Sequence, residues 1–251
     1  MNSPLSFENV SKDYVRSHLG RRSVSKGVEG LSLRLKEGEV FGLLGLNGQG
    51  KTTAMKLALG LLTPTSGEVR VFGASPRDPS SLASIGFLPE LPYFYPYLTP
   101  RESLEYYGRL SKIPENLLRE KIDRTLDTVG LSSASGRKAS EFSKGMLQRL
   151  GLAQATLHEP RLLLLDEPVS GLDPLAIHDV RGFLSELHGK GCTILLSSHS
   201  ISDVERLCDR VGILKAGRLA RVLDSAEWSS QEGGLERLFI DTVRPAQEGA
   251  P

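Results

Sequence analysis

The chain has 251 residues, 39% of them hydrophobic, enough to bury a proper core as one α/β folding unit with or without a subdomain. Lys and Arg number 31 against 30 Asp and Glu, so no global basic field marks nucleic acid as a main partner. Cys192 and Cys208 lie in no CxxC or Cys/His cluster and read as reduced thiols; no stretch approaches the roughly 20 apolar residues of a membrane span, and MNSPLSFENV is no signal peptide. Work at a membrane would require another component to hold the chain there.

In chain order, Leu31, Leu33 and Leu35 alternate with polar residues and predict a half-buried strand in a β-rich first part. Val40 to Leu44 is an apolar run entering a Gly-rich loop, and Ala54, Leu57, Ala58 and Leu61 then keep helical spacing as far as Gly60 and Pro64. A hairpin-like turn at 65 to 67 leads into an alternating piece through Val71.

From Phe87 to about Pro160 strand-like runs vanish and helix signals crowd together. Thr99, Pro100 and Glu102 form a capping box, and Leu118, Ile122, Leu126 and Val129 line a helix that Gly130 can close. Met146, Leu150, Ala153 and Leu157 follow Ser143 at helical spacing, so Ser143 caps a helix start, a place that offers bare N–H groups to an anion. Leu162 to Leu165 and Thr193 to Ser197 are short and wholly apolar or nearly so, as in parallel strands covered on both faces. Between them Asp173 and Pro174 open a helix with Ile177, Val180, Leu184 and Leu187 on one face. Ala216-Gly217 predicts a hairpin turn, Leu235, Leu238 and Phe239 an amphipathic piece, and RPAQEGAP a disordered tail; the alternation of strand and helix implies a parallel sheet.

Three stretches carry chemistry. GLNGQGKTT, made of Gly45, Leu46, Asn47, Gly48, Gln49, Gly50, Lys51, Thr52 and Thr53, has the spacing of a phosphate loop between a strand and a helix. Its backbone would wrap a polyphosphate, Lys51 would reach the β- and γ-phosphates, and the Thr52 hydroxyl would hold Mg²⁺. LLLLDEP ends a buried strand with Asp166 and Glu167, which point to different sides, Asp166 for Mg²⁺, directly or through water, and Glu167 as general base for the attacking water. His199 ends the next buried strand and should face the same crevice. His18, His158, His178 and His188 read as surface residues.

In this order the motifs resemble those of the ATP-binding cassette (ABC) ATPases: GLNGQGKTT the Walker A, FSKGM (142 to 146) the signature, LLLLDEP the Walker B, SGLD (170 to 173) the D-loop and SSH the switch-histidine loop. The resemblance covers roughly residues 5 to 223. It implies a RecA-like P-loop NTPase α/β core, a small antiparallel β subdomain and an α-helical subdomain from about 88 to 160, within an ATP-binding domain spanning 5 to 240 ahead of a tail at 241 to 251. It implies ATP with Mg²⁺, and a head-to-tail pairing with a second ABC ATPase subunit, identical or not, in which Ser143 and Gly145 of one copy meet the γ-phosphate held by the other. Asp173 joins the nucleotide-binding set through the D-loop. FSKGM departs from the family's LSGGQ at Phe142, Lys144 and Met146; Lys144 either adds charge near the nucleotide or faces solvent.

GFLPE places Glu90 where the family has a glutamine that approaches Mg²⁺, and together with YPYLT and FSKGM it resembles ABC-2 type exporter cassettes. KDY resembles the loop whose aromatic stacks on adenine, making Tyr14 the candidate. The expected function is an ATPase subunit, cytoplasmic and peripheral on the inner face of the cell membrane, powering export through a separate integral membrane permease subunit, with no nucleic acid partner. The alternative is a non-transport ABC ATPase acting on nucleic acid or ribosomes. The run Tyr93, Phe94, Tyr95 and Tyr97 is either the permease contact or subdomain core.

Overall fold

The computed structural model describes residues 3–18 and 21–244, with 16–18, 21 and 22 as backbone only. The first part supplies β1 (Leu5–His18), β2 (Arg21–Arg34), β3 (Val40–Leu44), α1 (Lys51–Ala58) and β4 (Ser66–Val71). The middle supplies α2 (Pro79–Leu82), β5 (Ile85–Leu88), α3 (Pro100–Leu110), α4 (Glu115–Thr128), single 3-10 turns at Ser132–Ala134 and Ala139–Glu141, and α5 (Lys144–Thr156). The rest supplies β6 (Leu162–Asp166), α6 (Pro174–Gly189), β7 (Thr193–Ser198), α7 (Ile201–Leu207), β8 (Arg210–Lys215), β9 (Arg218–Asp224), α8 (Ser225–Ser229) and α9 (Gly234–Val243).

Two sheets result. The larger runs β5-β6-β7-β3-β8-β9, parallel except for the last pair, and the smaller is antiparallel in the order β2-β1-β4. Parallel strands buried on both faces must be apolar throughout, and every residue of β3 and β6 is buried. One apolar cluster joins the larger sheet to α3, α4, α5 and α6; a second, with Phe41, Met55, Leu57 and Leu164, fills the space between the sheets and α1. Because β6, β7 and β3 are neighbours, their carboxyl ends emerge side by side, with Asp166 opposite Ser197 and Leu44 opposite Ser198. In an open α/β sheet that edge is where ligands bind.

Several boundaries differ from the sequence reading. α1 stops at Ala58 because Gly60, at φ +67, turns the chain, and the N–H groups of Leu61 and Leu62 return to the Lys56 carbonyl; Leu61 is left exposed. The turn expected at 65 to 67 is instead the start of β4, where Gly67 sits at φ +78 beside a register shift opposite Asn9. β5 takes in Phe87 and Leu88, the first residues of the segment read as helical: its four residues are too few to show an alternation. The tail boundary drawn at 240 falls inside α9, which runs to Val243, where the Lys215 ammonium donates to the Thr242 and Arg244 carbonyls at 3.0 and 3.1 Å. Of the expected tail, residues 245 to 251 lie outside the described residues. The capping box of α3 and the Ala216-Gly217 hairpin turn, with φ of +49 and +79, are formed.

Candidate active site

The loop after β3 delivers Lys51 as the first residue of α1, with Gly50 at its cap in a left-handed conformation (φ 101). No side chain is tolerated there, because a Cβ on Gly50 would overlap the Gly27 carbonyl of β2. Lys51 is buried, 6% exposed, and its ammonium donates to the Gly45 carbonyl at 2.6 Å and approaches Leu46 O at 3.4 Å. Thr52 is exposed and opens onto the cleft. Tyr14 reaches the same place from β1: its hydroxyl lies 3.2 Å from Thr53 Oγ1, and its ring packs so closely on Gly27 that a Cβ there would stand 2.7 Å from Cε2.

Asp166 and Glu167 diverge. Asp166, 4% exposed, accepts from Ser197 Oγ at 2.5 Å. Glu167 has left the strand with φ +51, a left-handed backbone that non-glycine residues rarely adopt and that the surroundings must hold. Its N–H donates to Ser197 Oγ at 3.0 Å and Ser197 O at 3.2 Å. This turn aims the carboxylate at the phosphate loop. Oε1 lies 3.3 Å from the Lys51 ammonium and Oε2 lies 2.8 Å from His199 Nδ1, so the start of α1 and the segments just past β6 and β7 each contribute one member of a Lys51–Glu167–His199 chain. Burial removes the competing water, so each carboxylate oxygen is matched to a donor.

The cleft around this chain has a volume of 480 Å³ and is lined by Tyr14, Lys26, the backbone from Leu46 to Thr53, Glu90, Glu167, Ser170 and His199. Sequence reasoning missed Lys26, Gly27, Ser170 and Ser197 as neighbours of the cleft. Ser170 opens SGLD and Ser197 opens SSH, so the motifs held the signal; Lys26 and Gly27 are placed by the β1–β2 register, which no local pattern reveals. Gln49 also braces the loop outward, its side-chain oxygen accepting from Ala216 N.

Three sequence candidates stand apart from this cleft within the chain. Ser143 caps α5, its Oγ accepting from Met146 N at 3.3 Å, and Gly145 packs near Ala176 and Leu172. The Asp173 carboxylate caps α6, accepting from Leu175 N at 3.0 Å and Ala176 N at 2.9 Å. None of the three lines the cleft.

The histidines divide. His178 is exposed as expected; His188 is partly covered and lies 3.4 Å from Asp209, and the side chain of His18 lies outside the described residues. His158 is a correction. It is half-buried, with Nε2 3.0 Å from Ile85 O, and desolvation depresses its pKa below the ordinary histidine value. The aromatic run splits: Phe94 is buried edge-on against Tyr107 at 6.1 Å between centroids, while Tyr93, Tyr95 and Tyr97 remain exposed beside Tyr106 and Leu91.

A family profile described as ABC transporter matches residues 28–170. An ABC transporter ATP-binding protein of Nostoc sp. is 46% identical over 194 residues, 76% of this chain and 58% of the relative. The bacitracin transport ATP-binding protein BcrA of Enterococcus faecalis is 39% identical over 230 residues, 90% of this chain and 71% of the relative. The chain therefore spans about three fifths to seven tenths of the length of these curated relatives. Among solved structures, the ATP-binding subunit of an ABC transporter superposes with a TM-score of 0.82 at 30% identity, covering 96% of this chain and 99% of that one. A dimeric bacterial ABC transporter cassette gives a TM-score of 0.78 at 25% identity over 88% and 98% of the two chains. The chain belongs to the ABC transporter family and has the fold of its ATP-binding cassettes.

Proposed function

We propose that the chain binds and hydrolyses ATP and thereby powers a transporter of the exporter type through a separate membrane permease. The carrying observation is the convergence of Lys51, Glu167 and His199, from segments that follow three adjacent strands, on one cleft rimmed by the phosphate loop. Tyr14 would stack on the adenine, the backbone from Gly45 to Thr53 would cradle the phosphates, and Lys51 would leave Glu167 for the β- and γ-phosphate oxygens. Glu167 then holds and polarises the attacking water, and His199 steadies the γ-phosphoryl charge as the terminal bond breaks.

Among the described residues no group of three or more His, Cys, Asp or Glu is arranged to hold a metal by itself. A Mg²⁺ carried in by the nucleotide would meet the Thr52 hydroxyl and Glu90, both of which line the cleft, with the Asp166 carboxylate held behind them by Ser197. Bound there, the ion would neutralise phosphate charge.

Ser143, Gly145 and Asp173 lie off their own chain's cleft, which supports a head-to-tail pair in which they complete the partner's nucleotide site; the dimeric cassette among the similar structures is in line with this. No helix of the described residues is long and apolar enough to cross a membrane. In this reading the permease is a separate component, and the protein sits on the inner face of the membrane through it. The exposed patch of Leu91, Tyr93, Tyr95 and Tyr97, next to Glu90, is the surface proposed for the permease's cytoplasmic segment. The naming of BcrA for bacitracin transport supports export of a small molecule or peptide.

The deciding experiment is Glu167→Gln. ATP binding should persist, turnover should stop, and a nucleotide-held dimer should accumulate in size-exclusion chromatography; hydrolysis at the parent rate would overturn the assignment.

A further inference from the structure

α5 has two functional ends in this reading. Ser143 at its start faces outward, and Gln148 points inward, 2% exposed, with Nε2 donating to the Pro168 carbonyl at 2.9 Å. The amide oxygen of Gln148 has no hydrogen-bond partner. A half-satisfied carboxamide is a poor core residue, less favourable than an apolar side chain of equal volume, so its single bond is what it contributes.

That bond lands next to the base. Pro168 follows Glu167, whose φ of +51 persists only while both flanks are restrained. Ser197 restrains the preceding side, accepting from Glu167 N through its Oγ at 3.0 Å and its carbonyl at 3.2 Å, and Gln148 restrains the following side. α5 has no slack against the sheet edge either: a Cβ on Gly151 would meet Leu88 at 2.5 Å and Pro92 at 3.1 Å. A displacement of Ser143 is therefore carried rigidly along one turn and a half of helix to the backbone beside Glu167.

We propose that Gln148 is a positioning residue which couples the two nucleotides of the dimer: closure of Ser143 on the partner's ATP is transmitted through the Gln148–Pro168 bond to Glu167, which acts on the chain's own ATP. The proposal rests on the reading of Ser143 and Glu167 given above.

The test uses the purified full chain with Gln148→Met, which keeps volume and removes the donor, and Gln148→Leu as a second apolar replacement. Binding of a fluorescent ATP analogue stays at full stoichiometry, Tm falls by no more than about 8 °C because the Pro168 carbonyl loses its donor, and ATP-driven dimerisation in the Glu167→Gln background is unchanged. Turnover falls about tenfold with KM held within about twofold, the signature of a contact needed in the transition state and not for binding. A kcat within about twofold of the parent, or a loss of kcat matched by an equal loss of binding-competent protein, overturns the proposal. Ser143→Arg separates the layers. If it leaves dimerisation and turnover intact, the underlying reading falls and the coupling with it; if it abolishes both while Gln148→Met behaves as the parent, only the coupling falls.

Discussion

Replacing Lys51 by Met tests the buried charge chain without any nucleotide present. The two side chains are 7% and 10% exposed and 3.3 Å apart, a gross attraction of about 5 kcal/mol at an effective dielectric of about 20. Removing Lys51 alone strands Glu167 in the interior with only His199 at 2.8 Å, and stranding a buried charge costs about 3–5 kcal/mol before His199 offsets part of it. We expect a net loss of about 2–4 kcal/mol, or about 4–16 °C in Tm for a chain of this size. Glu167→Gln keeps the shape and leaves Lys51 with the Gly45 and Leu46 carbonyls, so its cost is smaller, about 1 kcal/mol. The double variant, with neither charge stranded, should be at least as stable as Lys51→Met, giving a coupling energy of about 1–3 kcal/mol. Urea denaturation of the four nucleotide-free proteins measures this. Strictly additive losses would refute the claim that the two charges hold each other.

Ser143→Arg places a bulky cation at an exposed helix cap and should leave nucleotide binding by the monomer unchanged while blocking the ATP-driven dimer, read by size-exclusion chromatography. His158, whose pKa is lowered chiefly by burial and further by Lys121, is neutral in the fold and takes up a proton more readily when unfolded. Stability from this residue is thus present above the ordinary histidine value and is lost as pH falls below it; His158→Gln should flatten the dependence of Tm on pH between about 7 and 5. Burial raises the Cys192 thiol to about 11, so iodoacetamide at neutral pH should label it slowly until the protein is unfolded, by mass spectrometry. Leu150→Ala, at a fully buried position of α5, should cost about 2–5 kcal/mol in chemical denaturation and leave the nucleotide KM unaltered.

Much of the candidate site's arrangement was legible because it depends on strand ends. An apolar run tells where a parallel strand lies, and the residue just past it must emerge at the ligand-binding edge, which placed Lys51, Glu167 and His199 in one crevice before any coordinates. What the sequence withheld was the order of strands, so that the direct contacts of Glu167 with both Lys51 and His199 were not derivable from spacing. Only the end of β2, at Leu31 and Leu33, was legible in the long β1–β2 ribbon: its outer part is solvent-facing, as at Val15 and Val24, and its charged residues mask any alternation. Yet that ribbon positions Tyr14. His158 was misread because its burial comes from packing of α5's end on β5, a strand four residues long.

The contact between Gly27 and Gly50 leaves no gap between the ribbon and the loop that would wrap the phosphates. Backbone packed this closely admits no side chain between the two segments, so the antiparallel sheet and the start of α1 are braced against each other at this point. A side chain at position 27 would press on Tyr14 and Thr53, and one at position 50 on the Gly27 carbonyl, so either substitution would pry the strand that carries Gly27 from the loop that presents Lys51.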